Sequence, residues 1–565
     1  MVSQKVRMCT TPSFRQKPES SDIKQLQFPC GPVFTGSRTF AALLLCLGVA
    51  WAFIPTEYWW HWDIQRYTVQ VMIGQRGDND FSFAHNLLKS WLFHATQLVG
   101  LFSNDFQPIQ GARWLTIFFS GATAFMLFLG TRSLTRSTLA ALVTSALWFT
   151  LPANQYLFRE LDDNSWSNAF NTLFLVLTLV LAGFSRTRVD GLKRLLPFSF
   201  LLGCVLSVGI NVHQQLVPNF YAFFVLMCLS SERNWRDTLQ MSALFVLGYF
   251  GASLIQNFVA FGHLETGKTI RRLYYEPYSE FFPALNFFTS NKSIGDWAAI
   301  VLLGWKRAFL IGASRWPAWI ALIPLPLLGA GGVVWLARRR GTAFYLYQFR
   351  LMLFLSAAFL IHVPHSLMYE PDNIERWDSV LPGLLLLLVW LTHFLFSLRP
   401  VWPDRFPAVR RATAVVAACV VLFSLRQAWK INQAEVSGYF ASDVVHSLHA
   451  TTAFLAGQPD ASERHVVLLD SQYNINDIQV RITSSFPRIT VLTLNKDLEL
   501  IYSSLDLQGR KGYSSKSLLG IEFPKDCHFS ITPATVAWLQ ASAPTFLESK
   551  KWRVVASSLA DHDMD

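Results

Sequence analysis

The chain has 565 residues, 52% hydrophobic and only 15% charged, with a formal charge of +11. Apolar runs of about 20 residues recur along most of its length, a pattern that belongs to membrane helix bundles rather than to soluble domains. The positive charge lies largely in short loops between those runs, where basic residues set topology, so it makes no case for nucleic acid.

Residues 1–38 are basic and contain Ser, Pro and Gln; they read as a disordered cytosolic tail ahead of a retained anchor, with no small-residue cleavage site. Eleven spans are expected, at 39–55, 112–131, 137–153, 167–184, 195–211, 215–230, 238–261, 317–337, 346–364, 379–397 and 411–427. Seven scattered cysteines show no metal-ligand spacing, and Cys527 alone lies beyond residue 430, which excludes a disulfide framework there.

After the first span, residues 57–91 are too polar to cross a bilayer and unusually aromatic, with Tyr58, Trp59, Trp60, Trp62 and Tyr67 crowded at the start. Such a belt marks a membrane–water boundary. Asp63 and Arg66 stand there at helical spacing. The carboxylate could take a proton from a bound hydroxyl while the cation faces an anion, or the two could be an incidental pair on an interfacial helix.

Residues 85–102 either cross the membrane or lie flat on it. If they lie flat, Arg132, Arg136, Arg186, Arg188, Lys193, Arg194, Arg233, Arg236 and the basic residues at 338–340 and 399–411 all fall on the cytosolic side with the N-terminal tail. The positive-inside rule selects that arrangement, and His85, Lys89 and His94 weaken the segment as a span. The N-terminus is then inside and the C-terminus outside. Polar loops 57–110, 154–166, 211–219, 262–316 and 362–382 gather on the outer face. Residues 430–565 read as an extracytoplasmic α/β domain, with strands at 465–470 and 488–494 and a helix at 444–455.

Four further groups on that face could carry chemistry. Asp162 and Asp163 open a span; they either complement the helix dipole or turn a second carboxylate toward the cavity of Asp63. His213, with Gln214 and Gln215, interrupts two apolar runs and is either a structural histidine or part of a cavity lining. Arg271 and Arg272, beside Tyr274 and Tyr275, form a solvated face or an anion site. Arg376 precedes a Leu-rich run and either clamps a phosphate or anchors the helix end through Asp372, Glu375 or Asp378. Together they suit an amphiphile, with a phosphate at the interface, a polar group in water and a hydrocarbon tail in lipid.

The order of these residues resembles the GT-C membrane glycosyltransferases, above all the protein-mannosyltransferase/aminoarabinose-transferase branch. The resemblance runs through Asp63-x-x-Arg66-Tyr67, Gly77-Asp78, the stretch from His85 to Leu92, Asp105, Gly111-Ala112-Arg113, Thr131-Arg132-Ser133-Leu134, Asp162/Asp163, and Arg376-Trp377 with Leu381-Pro382. It covers roughly residues 40–400 and leaves out the C-terminal domain. Asn86-Leu87 stands where the family often has Pro-Pro, and Trp377 where it has tyrosine.

The resemblance implies a polytopic helix bundle of GT-C type with interfacial helices in the first outer loop, at residues 39–429. It also implies an enzyme that moves a sugar from a polyprenyl-phosphate donor to a hydroxyl or amine of a lipid, glycan or protein acceptor. Asp63 would be the catalytic base of a single inverting displacement. Arg66, His85, His213 and Arg376 would hold the donor phosphate, and Asp163 matches the second carboxylate better than Asp162 does. Tyr67, Lys89, Arg271 and Arg272 would act on the acceptor side. No metal or other cofactor is expected, since cations can supply the positive charge. The implied location is a bacterial inner membrane. Two rivals stand beside it. A transporter of lipid-linked saccharides predicts polar residues deep in several spans, whereas a catalytically dead scaffold would use its outer domain to bind a partner.

Overall fold

The computed structural model describes residues 36–54, 108–135, 137–151, 163–184, 190–229, 235–261 and 404–440, five short strands between 465 and 554, and a few isolated positions. These residues are mainly helical. The helices are α1 (Gly36–Phe53), α2 (Pro108–Thr135), α3 (Thr138–Thr150), α4 (Asp163–Phe184), α5 (Asp190–Val212), α6 (Val217–Leu229), α7 (Trp235–Phe261) and α8 (Phe406–Phe440). They occupy eight of the segments expected to span. Two stretches among the described residues, Gly111–Arg132 in α2 and Trp235–Phe258 in α7, are long and apolar enough to cross a membrane. The expected spans at 317–337, 346–364 and 379–397, and the loops at 57–97 and 262–294, lie outside the described residues.

Local chemistry sets the helix ends. Pro108 opens α2, where its missing N–H is no loss. Ser137 caps α3 by accepting the Ala140 N–H at 3.2 Å. That helix stops at Thr150, ahead of Pro152, so its 13 residues reach only about 20 Å. The span expected at 215–230 is broken in the same way: a 3₁₀ turn, Gln214–Leu216, precedes α6, and Pro218 sits in its first turn. α8 is 35 residues, about 52 Å, well beyond a hydrocarbon core of about 30 Å. It passes without a break through residue 430, where composition changes.

α2 is the hub, packing on α1, α3 and α4, while α5 lies along α7 and α4. The α5–α7 crossing is close because it is made of glycine. A Cβ on Gly203 would collide with the Phe245 carbonyl and stand 2.7 Å from the Tyr249 nitrogen; one on Gly248 would collide with the Phe200 carbonyl. Small residues let helix backbones touch in this manner. Beside the crossing, Phe223 stacks on Phe245 at 3.8 Å, and Phe220 meets Tyr249 edge-on at 5.0 Å.

Polarity is distributed inside out. Thr116, Ser120, Thr123, Asn168, Asn171, Asn219 and Asn257 are buried, whereas Phe40, Leu45, Phe118, Leu239, Leu247 and Ile255 are exposed. Threonines at 116, 123, 144, 150 and 178 each donate to the carbonyl one turn back, which removes the cost of a hydroxyl in an apolar helix.

The strands are β1 (His465–Asp470), β2 (Thr490–Leu494), β3 (Leu500–Ser503), β4 (His528–Ile531) and β5 (Trp552–Val554). They form one sheet ordered β3-β2-β1-β4-β5, in which only β3 is antiparallel. The strands expected at 465–470 and 488–494 form and pair in parallel, Val466 facing Thr490 and Asp470 facing Leu494. The helix expected at 444–455 lies outside the described residues.

Candidate functional site

Side-chain contacts join the ends of α1, α2, α3 and α4, and separately those of α5 and α7. Trp51 of α1 meets Trp114 of α2 edge-on at 4.7 Å, and Phe53 stacks on Phe149 of α3 at 5.8 Å. Trp166 of α4 donates its Nε1–H to Thr116 Oγ1 of α2 at 2.8 Å. Asn211 of α5 donates to Gln256 of α7 at 2.5 Å. The loops 57–110, 154–166 and 211–219 leave from these ends, which the sequence reading assigns to the outer face.

Beneath them runs a seam of buried amides and hydroxyls. Gln215 Nε2 donates to Ser167 Oγ at 2.8 Å, tying the turn after α5 to the first turns of α4. Asn219 Nδ2 donates to Asn171 Oδ1 at 2.7 Å, tying α6 to the same helix one turn deeper. Gln256 Nε2 reaches Ser207 Oγ at 3.5 Å. Before α4, Asn154 Nδ2 donates to the Trp148 carbonyl at 2.6 Å, and Gln155 Nε2 donates to the Phe149 carbonyl. Every group in this set is neutral and short-ranged, suited to hydrogen-bonding a polyol or water rather than to holding a charge.

His213 stands half-buried at the head of the seam. Its Nδ1 accepts the Gln215 backbone N–H at 3.2 Å. Nδ1 is thus the acceptor, and the imidazole proton sits on Nε2. Asp163 is the first residue of α4, one helical turn before Ser167. The Gln215–Ser167 bond ties the turn that carries His213 to the first turns of α4. Asp63, Arg66, Tyr67, His85, Lys89, Asp162, Arg271, Arg272 and Arg376 lie outside the described residues.

Sequence reasoning singled out Gln215 beside His213 but gave no role to Ser167, Asn168, Asn171 or Asn219, which build the seam with it. It also gave none to Arg113, whose buried guanidinium lies 4.9 Å over the Trp51 ring at the same end. A signal existed for α4: its polar residues at 164, 165, 167, 168, 171 and 172 are too many for a helix facing lipid all round.

No family model matches the chain, and no curated protein matches it. Two solved structures of the Archaeoglobus fulgidus oligosaccharyltransferase are similar to it. In one, tethered through a disulfide bond to an acceptor peptide containing the NVT sequon, the TM-score is 0.45 at 10% identity, over 81% of this chain and 64% of that one. In the other, a complex with Zn and sulfate, the TM-score is 0.46 at 12% identity, over 79% and 62%. The chain thus spans less than two thirds of the length of either structure.

Proposed function

We propose that this protein is a membrane glycosyltransferase of GT-C type that transfers a sugar, with inversion, from a polyprenyl-phosphate donor to a hydroxyl or amine of a lipid, glycan or protein. The observation that carries the reading is the ordered series of motifs from Asp63-x-x-Arg66-Tyr67 to Arg376-Trp377 and Leu381-Pro382. Support for a bilayer comes from two helices of spanning length and from the exposed apolar faces of α1, α2 and α7. The chain is then a multi-pass protein of a bacterial inner membrane, of about eleven spans, with its active site and an α/β domain at 430–565 on the extracytoplasmic side.

In this mechanism Asp63 removes the proton of the acceptor as it attacks the anomeric carbon. Arg66 and Arg376 neutralise the polyprenyl phosphate as the C–O bond breaks. His213, as a neutral Nε2–H donor, bonds the phosphate or a sugar hydroxyl, and Asp163 orients groups on the far side of the donor. The test is transfer of labelled sugar from a polyprenyl-phosphate donor to cell-envelope acceptors by the full chain in nanodiscs. Asp63→Asn should cost about 10²–10⁴-fold in turnover, the usual worth of a general base. Undiminished transfer by that variant removes the assignment.

A second reading has an observation of its own. Transport of a lipid-linked saccharide calls for polar residues deep in several spans, and buried ones stand near the middle of α2, at Ser120 and Thr123, and of α4, at Asn171 and Thr178. Movement of labelled lipid-linked saccharide between leaflets, without formation of a new glycosidic bond, would decide for it.

A further inference from the structure

Within the seam, one face of α4 has more hydrogen-bonding capacity than its neighbours use. Asn168 has no exposed surface, and both its Oδ1 and its Nδ2 lack a partner. The Asn171 Nδ2 and the Thr172 Oγ1 lack one as well, and these residues too are buried. At offsets of three and four residues, the Asn171 and Thr172 side chains flank that of Asn168, each with its Cβ about 5–6 Å from that of Asn168. The bond from Asn219 occupies Asn171 Oδ1 and so turns the Asn171 amino group to the other side. Polar groups buried without partners are costly, above all where no bulk water reaches them.

The donor and acceptor pattern selects the guest. A cation is opposed by two amide –NH₂ groups, and an anion by the Asn168 carbonyl, with no charged side chain among the described residues of the seam to offset either. A hydroxyl oxygen fits: it accepts from Asn168 Nδ2 and Asn171 Nδ2 and donates to Asn168 Oδ1 or Thr172 Oγ1. We propose that the Asn168–Asn171–Thr172 face binds a hydroxyl inside the bundle, supplied by a trapped water or by a saccharide ligand. The saccharide source rests on the sugar-transfer reading above; the water source does not.

The full chain in nanodiscs, free of added lipid-linked sugar, tests the water source by a cryo-EM map at a resolution that shows ordered water. A peak within hydrogen-bonding distance of the Asn168 amide and Thr172 Oγ1 is expected. A peak that appears only after polyprenyl-phosphate mannose is added assigns the saccharide source, and a dry face under both conditions overturns the proposal. Asn168→Leu gives an independent readout. With a guest in place, leucine removes its partner and lowers Tm. With none, leucine deletes two unpaired polar atoms and raises Tm; a rise both without and with added polyprenyl-phosphate mannose also overturns the proposal, whereas a rise confined to the ligand-free chain goes with the saccharide source. Binding of polyprenyl-phosphate mannose and of sugar-free polyprenyl phosphate separates the sources. A sugar hydroxyl predicts at least a tenfold loss for the mannosyl lipid alone in Asn168→Leu, and a water predicts no difference between the two. If neither lipid binds the wild-type chain, the sugar-transfer reading falls while the map still decides this one.

Discussion

Replacing Gly203 with alanine tests how closely α5 and α7 are held together. The new Cβ would stand 2.7 Å from the Tyr249 nitrogen and overlap the Phe245 carbonyl, both backbone atoms of α7 that cannot rotate away. Restoring van der Waals separation means moving the two helices apart by about 1 Å, and overpacking of this kind costs about 1–3 kcal/mol. Alanine returns about 1 kcal/mol of helix propensity, so a net loss of up to about 2 kcal/mol is expected. Gly251 of α7 is the control, since a Cβ there meets nothing within 4 Å. Gly251→Ala should be neutral or stabilising by up to about 1 kcal/mol, from propensity alone. Thermal unfolding in nanodiscs, followed by tryptophan fluorescence, compares the two. Adding Gly248→Ala to Gly203→Ala should cost less than the sum, because one displacement relieves both clashes. If Gly203→Ala is as stable as Gly251→Ala, the backbones do not meet at this crossing and the argument fails.

Asn219→Leu strands the Asn171 carbonyl oxygen and should destabilise the chain by about 1–3 kcal/mol; the double change with Asn171→Leu should cost less than Asn219→Leu alone, measured by the same unfolding assay. His213→Gln keeps a neutral donor near the Nε2 position and should retain more donor binding than His213→Phe. Equal loss in the two variants would show that hydrogen donation is not what the imidazole supplies.

The buried seam changes how the transporter reading is weighed. Read from the sequence, polar residues collect at the loops, and that arrangement favours chemistry over transport. In the structure, Ser120, Asn168, Asn171, Thr172 and Asn257 are buried within helices. Hydropathy averaged along a span is dominated by its Leu, Val and Phe, so α4 scores as a lipid helix although one of its faces carries amides. Which face turns inward depends on α2, α5 and α6 packing around it, and a single strand of text does not say.

What the sequence determined by itself follows from short-range chemistry. Runs of apolar residues make helices at eight of the expected segments, Pro108, Ser137, Pro152 and Pro218 mark where three of them begin or end, and short runs rich in Val, Leu and Thr make β1 and β2. Only the tertiary structure decided that Gln215 and Asn219 bond to α4, and that Gly203 and Gly248 lie at one crossing. Those pairings join residues some forty to fifty positions apart, and they arise from the fit of surfaces between helices. Propensity and hydropathy act over a turn or two of chain, while that fit is settled when the helices pack.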